Sequence, residues 1–281
     1  MKKILIASDF SSNADSAIEY GLKLAQVFNA KVYLFNSFVT VPAIGIDGGP
    51  GVMSETVIHA GIESHREKME SILSDLSEDL TKGLHIEIVI GDGDPVINIC
   101  EYAKDQAIDL VLMGTKGESR LEEILFGSTT VEVMKECRCP VIAIPHNSTF
   151  YGIKKIVYAS DLEEKDIAVI EHLCSFAKFF DSDVVVFHVF EEDNMTNQEE
   201  ADEFNDLLVQ RVKYPKLKKE SVTYGNTHDA ILDVVKKDLA NLIVMREKDR
   251  GIFGRLFHKD MVKRINFHTT IPLMVYNDRS L

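Results

Sequence analysis

Apolar residues fall along this chain in two alternating patterns. Short unbroken runs, at Ile4–Ala7, Val32–Phe35, Ile86–Ile90, Leu110–Met113 and Val141–Ile144, are bounded by polar or glycine-containing turns. Runs of this kind are what parallel strands buried on both faces look like. Between them, apolar positions recur at three- and four-residue spacing. Ala17, Leu22, Leu24, Ala25 and Phe28 form one such set, and Met69, Ile72, Leu73, Leu76 and Leu80 another. That is the period of an amphipathic helix. Asp94-Pro95 supplies a cap and a first-turn proline for the third helix. Strand–helix alternation predicts an α/β fold built on a doubly wound parallel sheet.

The pattern occurs twice. KKILIASDF at 2–10 returns as KKIVYASDL at 154–162, and AKVYLFNSF at 30–38 as SDVVVFHVF at 182–190. IVIGDGDPVINI at 88–99 corresponds to SVTYGNTHDAIL at 221–232, and DLVLM at 109–113 to NLIVM at 241–245. Pro140 and the strand after it match Pro272 and its strand. A tandem duplication follows. The expected domains are residues 1–147 and 152–281, separated near HNSTFYG at 146–152. The segment 42–61 is mostly absent from the second copy. Its Gly/Pro content predicts a loop, then a helix from near Ser54, serving either as a lid or as a plain surface insertion.

Charge narrows the partners. The net charge of −14 is uneven: residues 1–150 hold 12 Lys+Arg against 22 Asp+Glu, and residues 151–281 hold 19 against 23. An acidic surface repels nucleic-acid backbone and anionic membrane, so neither is expected as a partner. MKKILIASDF runs into a polar turn too soon for a signal peptide, and no apolar stretch approaches a membrane span. With four cysteines, the expectation is a cytoplasmic chain with reduced thiols. Cys137 and Cys139 alternate just before the fifth strand, but no second Cys or His pair stands nearby at metal-ligand spacing. They are read as small buried apolar residues, and no metal site is assigned.

The chemistry concentrates in LVLMGTKGESRLEEILFGSTTVEVMKECRCPVIAIP, residues 110–145. A strand ends at Met113; then come Gly114, two residues, Gly117, nine residues, Gly127-Ser128, and a helical pattern. Glycines let backbone approach a ligand closely, and a helix N-terminus favours an anion. The polyphosphate of a nucleotide is the anion this arrangement suits. The spacing is not that of a Walker A loop. It is not the dinucleotide fingerprint either: the nearest approach, Gly91-Asp-Gly93, fails at Val96. No His-Glu-x-x-His run or Gly-x-Ser-x-Gly elbow appears, and no positioned general base is indicated.

Gly-x2-Gly-x9-Gly-Ser between a fourth strand and a fourth helix resembles the ATP-binding loop of the universal stress protein family, and the start of the chain matches that family too. The resemblance implies two tandem doubly wound parallel five-stranded sheets, adenine nucleotide alpha hydrolase-like, in strand order 3-2-1-4-5. Ligands of such sheets bind where the order reverses, between strands 1 and 4. On the same resemblance Ala7, Ser8 and Asp9 lie at the adenosine end, with Asp9 also read as a cap for the first helix. Ser37, just after strand 2, meets the adenine through its backbone. Met113 and Gly114 line the ribose, and Gly117, Gly127, Ser128 and Thr129 hold the phosphates. Lys116 and Arg120 add positive charge or are solvated surface residues. Ala7 stands where the family usually has proline.

The second copy lacks the loop. Aligned without gaps, Gly114 becomes Arg246, Gly117 Asp249, Gly127 Lys259 and Ser128 Asp260. One nucleotide per chain is therefore expected, in the first half. Arg246, Lys248, Arg250, Arg255, Lys259, Lys263 and Arg264 are read as a solvated or partner-docking basic face, or as a different anion site. The resemblance also implies that the last strands of the two copies pair antiparallel within one chain, with a homodimer of full chains left open. The expected function is ATP binding, with Mg2+ left open, coupled to a stress response through an unknown protein partner. The alternatives are a slow ATPase and a nucleotide-free interaction scaffold.

Overall fold

The computed structural model describes residues 1–40, 55–115, 127–190, 197–223, 230–231, 233–234, 237, 239–247 and 271–280. The first half runs β1 (Lys3–Ala7), α1 (Ser12–Phe28), β2 (Lys31–Phe38), α2 (Glu55–Asp75), α3 (Glu78–Thr81), β3 (Ile86–Asp92), α4 (Pro95–Asp105), β4 (Leu110–Gly114), α5 (Ser128–Glu136) and β5 (Val141–Ile144). The second runs β6 (Lys155–Ala159), α6 (Glu164–Ala177), β7 (Asp183–Phe190), α7 (Asn197–Arg211), β8 (Leu217–Thr223), β9 (Leu242–Arg246) and β10 (Leu273–Tyr276).

The described strands form one sheet in the order β3-β2-β1-β4-β5-β10-β9-β6-β7-β8. Each half contributes five parallel strands in the order 3-2-1-4-5. The halves join through the antiparallel pair β5–β10, with Ala143 opposite Leu273 and Val141 opposite Val275. Period-two alternation sends Ile4 and Ile6 to a core beneath α1 and α6, and Leu5 and Ala7 to a second core beneath α4 and α5. Both cores are continuous from one half into the other.

Two sequence expectations need correction. Ile86–Ile90 was expected to be buried on both faces, but β3 is an edge strand whose residues are at most half-buried. Ile86 and Ile88 pack on the first core and Val89 on the second, but no described strand lies beyond β3, and Glu87 is exposed, pairing with Lys31 at 2.7 Å. The apolar run from Met69 to Leu80 is likewise not one helix: it breaks at Ser77 into α2 and α3. The loop expected after Pro42 lies outside the described residues, whereas α2 begins at Glu55, close to the expected Ser54.

A cluster of aromatic rings closes the seam between α1 and α6. Phe28 meets Phe176, Phe179 and Phe180 with ring centroids 5.4, 4.7 and 5.5 Å apart, and Phe150 bridges Tyr20 and Phe180. Such tilted and edge-on pairs are favourable beyond the area they bury.

Candidate functional site

The strand order of the first half reverses between β1 and β4, and a cavity of about 350 Å³ opens there at their C-terminal ends. Local sequence sets each wall. Beyond β1 the chain keeps one more sheet bond, Ser8 N–H to Phe35 O at 2.8 Å, then turns at Phe10 with φ of 64°. The Asp9 carboxylate accepts from the backbone N–H and the hydroxyl of Ser11 at 3.1 and 2.5 Å. Ser11 in turn accepts from Ala14 N–H, so Ser11 is the cap of α1. Asp9 braces that cap, where it was expected to be the cap itself.

Gly114 ends β4 beneath the first turn of α1. A Cβ there would stand 2.7 Å from Asn13 O and 2.8 Å from Asn13 C, both backbone atoms that cannot step aside. The glycine was expected to make room for a ligand. It does line the cavity, but the space its missing side chain frees is taken by α1.

The opposite wall is the start of α5. Gly127 is its N-cap at φ −60° and ψ 146°, a backbone any residue can adopt, and Ser128 and Thr129 open the helix. Helical geometry leaves the first-turn N–H groups without intrahelical acceptors. Thr130 Oγ1 donates to Gly114 O at 3.1 Å, tying α5 to the end of β4.

Ala7, Ser8, Asp9, Ser37, Met113, Gly114, Gly127, Ser128 and Thr129 thus all line one cavity. Ser37 is a correction in detail: it lies inside β2, opposite Gly91, and was expected just after that strand. The strand runs on because Phe35 to Phe38 keep their pairing with β3. The Ser37 hydroxyl donates to Gly93 O at 3.1 Å and accepts from Asn98 Nδ2 at 2.8 Å. Lys116, Gly117 and Arg120 lie outside the described residues.

Sequence reasoning missed Ser11, Asn13, Phe35, Pro95, Ile99 and Thr115, which also line the cavity. Asp94-Pro95 was visible as a helix start, and the structure bears it out: Asp94 accepts from Val96 and Ile97 N–H at 2.9 and 3.1 Å. Nothing local in the sequence said that this start faces β1. Asn13 is the informative omission. It is 5% exposed, it lines the cavity, and its buried Oδ1 has no hydrogen-bond partner among the described residues. A buried polar atom left unpaired is costly, and calls for a partner that completes it.

The corresponding place in the second half is filled. Arg246 stands at the end of β9 where Gly114 ends β4, and Asp166 stands in the first turn of α6 where Ala14 stands in α1. Arg246 Nε donates to Asp166 Oδ1 at 2.7 Å and Nη1 to Asp278 Oδ1 at 2.9 Å, and Nη2 pairs with Glu163. The other Asp166 oxygen accepts from Ser160 Oγ at 2.8 Å and Asp161 N–H at 3.0 Å. Arg246 and Asp166 are both buried, at 4% and 1% exposure. Lys165, and then Arg246, hold the Asp278 carboxyl below its ordinary range. Arg246 was expected on a solvated or docking basic face. It is instead an interior cation, because three carboxylates converge on it. Lys248, Asp249, Arg250, Arg255, Lys259, Asp260, Lys263 and Arg264 lie outside the described residues. Among the described residues no group of three or more His, Cys, Asp or Glu is placed to hold a metal, and no helix is long and apolar enough to cross a membrane.

Comparison with known proteins places this geometry. The model of the universal stress protein family matches residues 1–145 and again 152–277. A universal stress protein of Methanocaldococcus jannaschii is 30% identical over 145 residues, covering 51% of this chain and 81% of the relative. A universal stress protein of Mycolicibacterium smegmatis is 22% identical over 296 residues, covering 98% of this chain and 97% of the relative. A solved universal stress protein from Archaeoglobus fulgidus superposes with a TM-score of 0.70 at 18% identity, over 98% of this chain and 96% of that one, and so shares its fold. Two matches in tandem account for a sheet that reads 3-2-1-4-5 from either edge, and the chain belongs to the universal stress protein family.

Proposed function

We propose that the first-half cavity holds ATP, one molecule per chain, and that the bound state acts in the cytoplasm as a stress signal or a switch for a protein partner. The observation that carries this reading is the contrast between the halves. One switch point is an open cavity beside Asn13, whose Oδ1 has no partner among the described residues; the other holds the Arg246 ion cluster. The residues present suit an adenine nucleotide. Apolar walls at Ala7, Phe35, Ile99 and Met113 suit the flat base, with Ser8, Asp9 and Ser37 beside it. The first-turn N–H groups of Ser128 and Thr129 suit phosphate oxygens, and Gly127 sets no side chain in front of them. Lys116, Gly117 and Arg120, which lie outside the described residues, would complete the phosphate grip, with or without Mg2+.

Among the described lining residues Asp9 is the only ionisable one, and it is engaged with Ser11. That favours retention of ATP over its hydrolysis, which requires a group positioned to orient water. The residues 1–147 and 152–281 would then be one nucleotide-binding and one nucleotide-free domain.

The test is to purify the chain without added nucleotide, extract it in acid and identify what is released. Intact ATP supports the reading, and ADP alone would replace it with a slow ATPase. No nucleotide, together with no binding of added ATP by calorimetry, would leave an interaction scaffold. Gly127→Asp is a sharp variant, because aspartate is a good N-cap at this backbone geometry and leaves α5 intact. It nevertheless sets a carboxylate against the phosphates, so ATP affinity is expected to fall by about tenfold or more, roughly 1.4 kcal/mol. Unchanged affinity would remove the phosphates from this helix end.

A further inference from the structure

We propose that Cys100 and Cys137 form an oxidant-reactive dithiol that closes to an intramolecular disulfide, tying α4 to α5. The sulfurs, 37 residues apart in sequence, lie 2.8 Å apart. They need to approach by only about 0.8 Å more to reach the ~2.05 Å of a disulfide bond. The inference rests on this juxtaposition and does not depend on what the cavity binds.

The two thiols are unequal in the way such a pair requires. Cys100, on α4, is half-buried and reachable; Cys137, the C-cap of α5, is fully buried. A hydrogen bond from Cys137 holds the Cys100 thiol below its ordinary range against the opposing effects of burial and Glu136, with Arg279 assisting. The same contact, together with Cys139 and burial, pushes the Cys137 thiol far up. Cys100, the reachable thiol and the one held lower, is therefore the nucleophile, and Cys137 the resolving thiol.

The backbone around Cys137 is held independently of its sulfur. Its N–H donates to Val133 O at 2.9 Å. Asn277 Nδ2, from the far end of the chain, donates to the carbonyls of Cys137, Met134 at 3.1 Å and Lys135 at 3.2 Å. These bonds fix Cys137 in place without using its sulfur. Cys174 supplies an internal contrast: it is buried in α6, and burial pushes its thiol up to about 12.

With hydrogen peroxide as oxidant, the Cys100 thiolate attacks one peroxide oxygen. The O–O bond breaks, and the departing hydroxide takes a proton to leave as water, giving a sulfenic acid on Cys100. The Cys137 sulfur then attacks the Cys100 sulfur as it gives up its proton. The S–S bond forms, the S–O bond breaks, and a second water leaves. In sum two thiols and one peroxide become one disulfide and two waters.

The experiment treats the full chain with a small excess of hydrogen peroxide and follows folding by circular dichroism. The remaining thiols are then alkylated and non-reduced peptides mapped by mass spectrometry. The expected result is loss of two of the four thiols and a Cys100–Cys137 cross-linked peptide, reversed by dithiothreitol. Cys100→Ser should abolish the cross-link and slow thiol loss about tenfold, whereas Cys139→Ala should still form it. The parent chain's peptide map identifies the partner even if Cys139→Ala fails to fold. A bridge between Cys137 and Cys139, oxidation of Cys100 without a bridge, or thiols that react only after unfolding would each overturn the proposal.

Discussion

Gly114 and Arg246 occupy corresponding places at the ends of β4 and β9, yet one ends beside a cavity and the other fills it. The exchange is paired: where Gly114 sits against the backbone of Asn13 and Ala14, Arg246 reaches Asp166, the counterpart of Ala14. A buried cation is tolerable only with such a partner. Asp166→Ala should therefore destabilise the chain by about 3 kcal/mol, while Glu163 and Asp278 keep part of the charge compensated. Removing both charges in Asp166→Ala/Arg246→Gly should cost less than the single change, because no unpaired ion is left inside. Urea unfolding of the two variants decides this; a double variant worse than the single would mean that packing by the arginine stem outweighs its charge. The glycine spacing was legible in the sequence, and so was the loss of glycine at 246. The destination of the Arg246 side chain was not, since Asp166 lies 80 residues away.

Helix starts were the most legible elements, because a cap is a relation between residues two or three apart. Asp94-Pro95 opens α4 as expected, and Ser128 opens α5. Strand burial was less legible: Ile86–Ile90 has the composition of a central strand and the position of an edge. The packing of α6 on β10 carries a pH dependence that no sequence pattern announces. His172 Nδ1 meets the Tyr276 hydroxyl at 2.8 Å. Burial, and then the N-terminal ammonium, hold the imidazole below its usual 6.5, against the smaller opposing effect of Asp109. A histidine whose folded pKa is depressed binds its proton more readily in the unfolded chain. Its contribution is therefore complete above pH 6.5 and is lost as the pH falls from there through the lower folded value. Urea midpoints should drop as the pH falls below about 6.5, and less so in His172→Gln; equal drops would assign the loss elsewhere.

At the scale of the whole molecule, the two halves share a sheet through β5–β10 and a core through the aromatic rings of α1 and α6. Continuity of both cores across the seam argues that the halves unfold together. A single urea transition is expected, with circular dichroism and tyrosine fluorescence coincident. Phe28→Ala removes a ring that touches three others across the seam and should cost about 3–5 kcal/mol. It should also split the transition in two. Two transitions already present in the parent chain would show that the halves are energetically independent despite the shared sheet.

The sequence by itself determined the strand–helix alternation, the duplication and the Asp94-Pro95 start of α4. These signals are carried by backbone periodicity and by residues close together in the chain, so they survive without any tertiary context. Only the tertiary structure decided that Gly114 yields its space to α1, that Asn13 joins the cavity wall, that Arg246 turns inward, and that Cys100 meets Cys137. Each of these depends on which strand ends and helix turns the sheet order brings together. Such contacts are created by register and packing between distant segments, and no local pattern encodes them.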